Sequence, residues 1–249
     1  LAMNFLYTNV RELSAEKFTR HVIESDKHTD IGWPVYLLSN HDRTRHLSRF
    51  ADGLHNNAIA KQLAAMTLTL RGTPILYYGE EIGMTTQDPV RLEDVKDPIG
   101  RLFWPDFKGR DGSRTPMQWN QELHAGFSEA TPWLAVNKNY PFLNVAEQEN
   151  NPSSVLHYFR RMIQLRKNHD TLVYGAFELV DEKNDQIFTY KRVLDSEVLL
   201  VVLNFSDAPA VLTTSLAFSN SHILISNLEQ PQIDHFFQPY AAVIYQIQQ

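Results

Sequence analysis

Cysteine is absent from the 249-residue sequence, which removes disulfide scaffolds, thiolate metal sites and cysteine nucleophiles in one step. No apolar stretch approaches the ~20 residues that a membrane span needs, so no membrane partner is expected. Positive charge is not in excess: 23 Lys and Arg face 29 Asp and Glu, a formal net charge of −6, with an isoelectric point near 5.9. A surface that neutralises phosphates needs the opposite balance, so no nucleic-acid partner is expected. The 10 histidines contain no HExxH or comparable ligand spacing. No Gly-rich phosphate loop follows a strand, so neither a metal nor a cofactor is expected. Internal repeats and low-complexity segments are lacking. The chain opens Leu1-Ala2-Met3-Asn4-Phe5 without an initiator Met, a basic leader or a cleavage-type segment; Leu1 is expected to be a cut or processed end. A cysteine-free chain folds on either side of a membrane. A cytoplasmic location is the expectation, with extracellular and periplasmic locations left open.

Hydrophobic residues make up 43% of the chain and aromatics 11%, ample for a buried core. Two textures meet near residue 170. Residues 1–170 alternate short apolar runs with helical periods, the pattern of α/β architecture. Residues 171–249 carry strand-like runs such as Gln186-Ile187-Phe188-Thr189-Tyr190 between polar turns, and predict a small antiparallel β-sandwich. In the first part Asn4-Phe5-Leu6-Tyr7 reads as a strand, and Ser14 as the N-cap of a helix stapled by Leu13 and Phe18. Residues 33–38 read as a buried strand, 58–70 as a helix that is apolar nearly all round, and 72–79 as a second strand, together a βαβ unit. Residues 85–152 show no period and predict one long functional loop. Asn151 then caps a helix with Pro152 in its first position and Val155, Leu156, Phe159, Met162 and Ile163 on one face.

Three constellations bear on chemistry. Ser39-Asn40-His41-Asp42-Arg43 stands at the C-terminal end of a buried strand, where parallel α/β folds collect binding and catalytic groups. With Arg43 and Arg45 beside it, the Asp42 carboxylate is expected to stay ionised, able to accept from hydroxyls or to stabilise a developing positive charge. The same residues read equally well as a turn in which Asn40 and Asp42 bond to local backbone. Glu80-Glu81 suggests a paired-carboxylate site, but neighbours on extended chain point to opposite faces; one of them buried in a supporting role is the better reading. In Gly109-Arg110-Asp111-Gly112-Ser113-Arg114, two Arg four apart form a clamp for hydroxyls or carboxylates, or else a surface ion-pair loop. Trp104, Trp119 and Trp133 offer stacking faces for sugars, or a small core for the loop itself.

Taken in order, Leu37-Leu38-Ser39-Asn40-His41-Asp42, Gly72-Thr73-Pro74-Ile75-Leu76-Tyr77-Tyr78-Gly79-Glu80-Glu81-Ile82-Gly83-Met84 and Gly109-Arg110-Asp111-Gly112-Ser113-Arg114-Thr115-Pro116-Met117-Gln118-Trp119 resemble the C-terminal part of an α-glucosidase or oligosaccharide glucosidase of the α-amylase superfamily, glycoside hydrolase family thirteen. Ala125-Gly126-Phe127-Ser128 and Pro132-Trp133-Leu134 continue the resemblance, and Phe103-Trp104-Pro105 with Lys108-Gly109-Arg110-Asp111 inclines it toward maltose- or sucrose-cleaving members. The resemblance implies the C-terminal part of a (β/α)8 TIM barrel, about strands six to eight, in residues 1–170, with residues 85–152 as an active-site loop. An antiparallel β-sandwich domain would follow in residues 171–249. It implies a retaining mechanism in which Asp42 is the transition-state stabiliser and His41, Arg110, Arg114 and Arg43 bind the glucose. It supplies no cofactor and no metal. A retaining glycosidase also needs a nucleophile and an acid/base carboxylate, which the family carries on strands four and five, and no segment here resembles either. A whole barrel takes roughly 250 residues. The chain is therefore expected to be a C-terminal piece, inactive alone, whose partners are the missing N-terminal half of the barrel and a short α-glucoside. The alternatives are a non-catalytic carbohydrate-binding or transporter-associated relative, and a transglucosylase of the sucrose isomerase or trehalose synthase type.

Overall fold

In a computed structural model of the chain, residues 2–3, 5–27, 32–181, 184–218, 221–229 and 235–247 are described. The first layer is a parallel sheet of three strands, β1 (Ala2–Met3), β2 (Pro34–Leu37) and β3 (Thr73–Ile75), in that order. Between β1 and β2 run α1 (Phe5–Asn9) and α2 (Ala15–Lys27). Between β2 and β3 run α3 (His46–Phe50) and α4 (Asn56–Thr69). The strand expected over residues 4–7 is corrected: Asn4 lies outside the described residues, and Phe5 already opens α1. A four-residue apolar run fits a strand or a buried helical turn equally well. As a helix it sets Tyr7 against the rings of Phe18 and Tyr36, with centroids 5.2 and 5.1 Å away. Ser14 caps α2 through its Oγ, which accepts the Lys17 N–H at 3.3 Å.

The second strand of the expected βαβ unit is shorter than residues 72–79. After Ile75 the chain turns, the Glu80 N–H donating to the Tyr77 carbonyl at 3.0 Å. Gly79 makes that turn at φ +85°, where a Cβ would meet the Met84 sulfur at 2.3 Å. Residues 85–152 are mostly irregular, as expected, with two short helices, α5 (Pro98–Leu102) and α6 (Val145–Glu149). The helix after them is α7 (Val155–Asn168). Its cap is Ser154, whose Oγ accepts the His157 N–H at 3.2 Å. Asn151, the expected cap, instead accepts from the Ser153 N–H at 2.9 Å in the turn before it. A five-residue α8 (Asp170–Tyr174) ends the helical part.

Among the described residues seven antiparallel strands follow: β4 (Ala176–Leu179), β5 (Ile187–Leu194), β6 (Glu197–Asn204), β7 (Ala210–Val211), β8 (His222–Ser226), β9 (Phe236–Phe237) and β10 (Ala242–Ile247). Five form a sheet in the order β4-β5-β6-β10-β8, and β7 pairs with β9 in a second, smaller layer. Side chains alternate across β6 as the strand period requires. Leu200 and Val202 face the cluster containing Phe218 and Phe237. Val201 and Leu203 face the other way, into a cluster that continues through Leu63 and Met66 of α4 to Tyr36 and Phe18. The β-sheet and the parallel strands therefore share one core, and α4 lies inside it. Among the described residues no helix is long and apolar enough to cross a membrane.

Candidate active site

The loop after β2 is shaped from beneath. Ser39 is fully buried; its Oγ accepts the His46 N–H at 2.8 Å and lies 3.1 Å from the same residue's Nδ1. Asn40 Oδ1 accepts the Asp42 N–H at 2.9 Å, an Asx turn of the kind these residues favour. The turn reading is met at Asn40 and not at the Asp42 side chain. Asn40 makes the turn, and the Asp42 side chain is left to other partners at the C-terminal end of the parallel sheet.

Those partners arrive from the long loop. Asp42 Oδ1 accepts from Arg110 Nη1 at 3.1 Å and from Arg114 Nη2 at 3.0 Å. Arg114 Nε also donates to the His41 carbonyl at 2.8 Å, and His41 Nε2 lies 3.3 Å from Asp42 Oδ2. Arg110 is itself gripped by Asp97, a residue that sequence reasoning missed. Nε reaches Asp97 Oδ2 at 2.7 Å and Nη2 reaches Oδ1 at 2.9 Å, a fork-to-fork pair. Asp97 caps α5, accepting the Ile99 N–H at 3.2 Å. Its own backbone N–H is held by Asp111 Oδ2 at 3.0 Å. Gly109 permits the approach: its φ is +85°, and a Cβ there would stand 3.0 Å from Asp97. The missed signal was Asp97-Pro98, an N-cap residue followed by Pro in the first turn.

Burial works against ionisation of Asp42, but His41, Arg110 and Arg114 outweigh it and hold the carboxyl below its ordinary value. The paired contact with Arg110 overcomes burial at Asp97 as well and holds that carboxyl well below the carboxylate range. Arg110 in turn is held strongly protonated, first by Asp97 and then by Asp42. The result is an anchored, ionised carboxylate with about half its side-chain surface open (46%). Such a group accepts hydrogen bonds from hydroxyls and attracts positive charge developing nearby.

Arg43, the remaining sequence candidate, does not touch the Asp42 carboxylate. Its backbone carbonyl accepts from Ser113 Oγ at 2.7 Å, while its exposed side chain lines a cleft of about 400 Å3 next to Asp42 and Arg110. Arg45 is corrected outright, because it is buried rather than beside Asp42. Its guanidinium donates to the Tyr78 carbonyl and lies over the Tyr77 and Tyr78 rings, 4.9 and 4.6 Å from their centroids. Glu80 is buried 3.2 Å from His46 Nδ1, and burial pushes the Glu81 carboxyl up. They sit on a 3-10 turn rather than extended chain. The three tryptophans do not form one platform. Trp119 and Trp133 line an apolar groove of about 500 Å3 with Tyr78, Phe127 and Arg114, while Trp104 lies under Lys108 Nζ, 5.7 Å away. Among the described residues no group of three His, Asp or Glu is placed to hold a metal ion.

Residues 4–175 match the family model of the alpha amylase catalytic domain, and residues 177–244 that of the maltogenic amylase C-terminal domain. The chain is 37% identical over 240 residues to an oligo-1,6-glucosidase of Parageobacillus thermoglucosidasius, a match covering 87% of this chain and 43% of that protein. It is 43% identical over 180 residues to a probable alpha-glucosidase of Rhizobium meliloti, covering 72% of this chain and 32% of that one. The crystal structure of an isomaltulose synthase from Klebsiella sp. LX3 superposes with a TM-score of 0.83 at 33% identity, over 94% of this chain and 46% of the other. The chain thus spans less than half the length of the relatives it matches.

Proposed function

The chain belongs to the alpha-amylase family, and on that premise we propose that its residues form the C-terminal part of a retaining, exo-acting α-glucosidase that releases glucose from the non-reducing end of short α-glucosides. The observation that carries this is the ionised Asp42, clamped by Arg110 and Arg114 with His41 alongside, at the C-terminal end of a parallel sheet. In this reading Asp42 accepts from ring hydroxyls and strengthens its grip as the sugar flattens toward the oxocarbenium ion. His41, Arg110 and Arg114 hold the same glucose, and Arg43 contributes from the adjoining cleft. The nucleophile and the acid/base would come from barrel strands other than β1, β2 and β3. A division near residue 170 into barrel portion and β-domain is part of the same proposal.

Assays of this chain on maltose, isomaltose, sucrose and an aryl α-glucoside are expected to show no turnover. With the rest of the barrel supplied, hydrolysis should appear, and Asp42→Asn should lower kcat by at least about 10²-fold. Clear turnover by the chain alone that disappears in Asp42→Asn would defeat the reading. The likeness to an isomaltulose synthase favours a second reading, transfer of glucose within sucrose instead of to water. Product analysis separates the two: an isomerised disaccharide for the second, glucose and fructose for the first.

A further inference from the structure

We propose that Tyr77 and Tyr78, in the turn after β3, are positioning residues for the Asp42 site: their two hydroxyls clasp the backbone on either side of Arg114 and so hold its guanidinium on the carboxylate. The clasp is a matter of geometry in this chain, and only its bearing on catalysis rests on the glucosidase reading above. Tyr77 Oη donates to the Ser113 carbonyl at 3.1 Å, and Tyr78 Oη to the Thr115 carbonyl at 2.6 Å. The residue between those carbonyls is Arg114, whose Nε and Nη2 reach the His41 carbonyl and Asp42 Oδ1. A peptide group is planar, so fixing the Ser113 carbonyl fixes the plane that ends at the Arg114 Cα. The two arginines on Asp42 differ in what holds them. Arg110 is forked onto the buried Asp97. Arg114 has no such acid behind it; among the described residues its one ion pair is with Asp42. A long stem loses rotamer freedom when its head is fixed, and that cost is smallest when the backbone already aims it.

The clasp stands on a fixed base. Burial pushes the Tyr77 phenol up, which keeps it protonated and a donor. The two rings meet edge to face, with centroids 4.7 Å apart at 61°, an arrangement that aromatic pairs favour. Arg45 lies against both rings and donates to the Tyr78 carbonyl, while its own N–H is held by Thr86 Oγ1 at 2.8 Å. Arg45 follows Asp42 by three residues, so one segment carries both the carboxylate and the seat of the tyrosines. Ser113 Oγ ties back to the same segment at the Arg43 carbonyl. Asp42, Arg45, the two tyrosines and Arg114 thus close a ring of contacts. Loss of the phenolic hydroxyls opens that ring at Arg114, while Arg110 keeps its own anchor in Asp97.

Nuclear magnetic resonance of the Tyr77→Phe/Tyr78→Phe chain, with no substrate present, tests this. Phenylalanine keeps both rings against Arg45 and removes only the hydroxyls. In the parent the Nε–H groups of Arg114 and Arg110 are both bonded, so both protons are expected to exchange slowly with water. In the double variant the Arg114 proton should exchange at least about tenfold faster, the worth of one hydrogen bond, while Arg110 stays as it was. The Asp42 carboxyl, which His41, Arg110 and Arg114 hold low, should titrate higher by at least about half the shift that Arg114→Gln produces. If the Arg114 proton and the Asp42 midpoint do not move, the Arg114 stem holds itself and the proposal falls. If Arg110 is loosened as much as Arg114, the tyrosines only stiffen the loop, and the positioning role falls too. Should the double variant fail to melt cooperatively, Tyr78→Phe alone, whose ring is partly exposed, is read for the same outcomes. No turnover enters the measurement, so this proposal and the glucosidase reading fail independently.

Discussion

Asp97 fixes one of the two arginines that hold Asp42 in place, although it does not touch Asp42. Its side chain is fully buried, and its two oxygens fix the Arg110 guanidinium, which then reaches Asp42. The Asp97 carboxyl titrates well below its ordinary value because of Arg110. Its folded-state pKa therefore lies below the unfolded one of about 3.9. The stability it contributes is present above that value and is lost as pH falls through the folded pKa. Asp97→Asn is expected to unfold more easily at neutral pH and to lose less stability than the parent between about pH 5 and pH 3. Urea melts at the two pH values check this, and an unchanged acid slope would overturn it. The site was half legible in the sequence for a physical reason. Asp42, Arg110 and Arg114 sit in segments whose position, a strand end and a Gly-rich loop, restricts where they point. Asp97 sits in aperiodic chain, and only its N-cap before Pro98 hinted at a fixed direction. Arg45 was misplaced because adjacency along the chain says nothing about which way a side chain turns, and its stem goes down onto Tyr77 and Tyr78.

The C-terminal end of α4 shows how an element is closed by residues far from it. A helix leaves its last carbonyls without internal partners, with partial negative charge gathered there. Here two arginines supply the donors. Arg166 of α7 donates to the carbonyls of Leu68, Leu70 and Gly72. Arg192 of β5, fully buried, donates to those of Thr69, Leu172 and Gly175. Each buried carbonyl left unpaired costs about 1–3 kcal/mol. The Leu172 carbonyl keeps Arg166 at 2.8 Å, so Arg192→Ala strips the Thr69 and Gly175 carbonyls and is expected to destabilise the chain by about 2 kcal/mol or more, and Arg192→Lys to recover only part, since an ammonium lacks the planar fork that spans them. Denaturant midpoints measure both; a loss under about 1 kcal/mol in the alanine variant would contradict the account. Elements with a clean period were readable beforehand: α4 from its all-round apolarity, and β5, β6 and β10 from their apolar runs. What was not readable depended on tertiary partners. The two-residue β1 exists through pairing with Pro34 and Val35. The α7 cap moved to Ser154 because the Gln148 carbonyl also takes its hydroxyl at 2.9 Å, a contact across six residues that no local rule contains.

For the molecule as a whole, two family models meet between residues 175 and 177, but the packing does not divide there. Phe188, Tyr190, Val201 and Ile244 of the antiparallel sheet belong to the same buried cluster as Phe18, Tyr36, Leu63 and Met66. Polar groups cross the boundary too. Gln62 of α4 donates to the Asn204 and Ala241 carbonyls, and Thr69 and Tyr190 share a hydroxyl pair at 2.6 Å. Removing the sheet would expose one side of α4 and leave Gln62 and Thr69 without these partners, so the parallel strands have no finished core of their own. Chains of this length commonly unfold in stages when their parts are separate units. Here the shared core predicts one transition instead, with far-ultraviolet dichroism and tryptophan fluorescence changing at the same denaturant concentration. All four tryptophans lie before residue 134, so fluorescence follows the first part of the chain alone, while dichroism follows both. Two separated midpoints, with fluorescence unmoved while strand signal is lost, would show that the β-sheet leaves first and that the common core contributes little to cohesion.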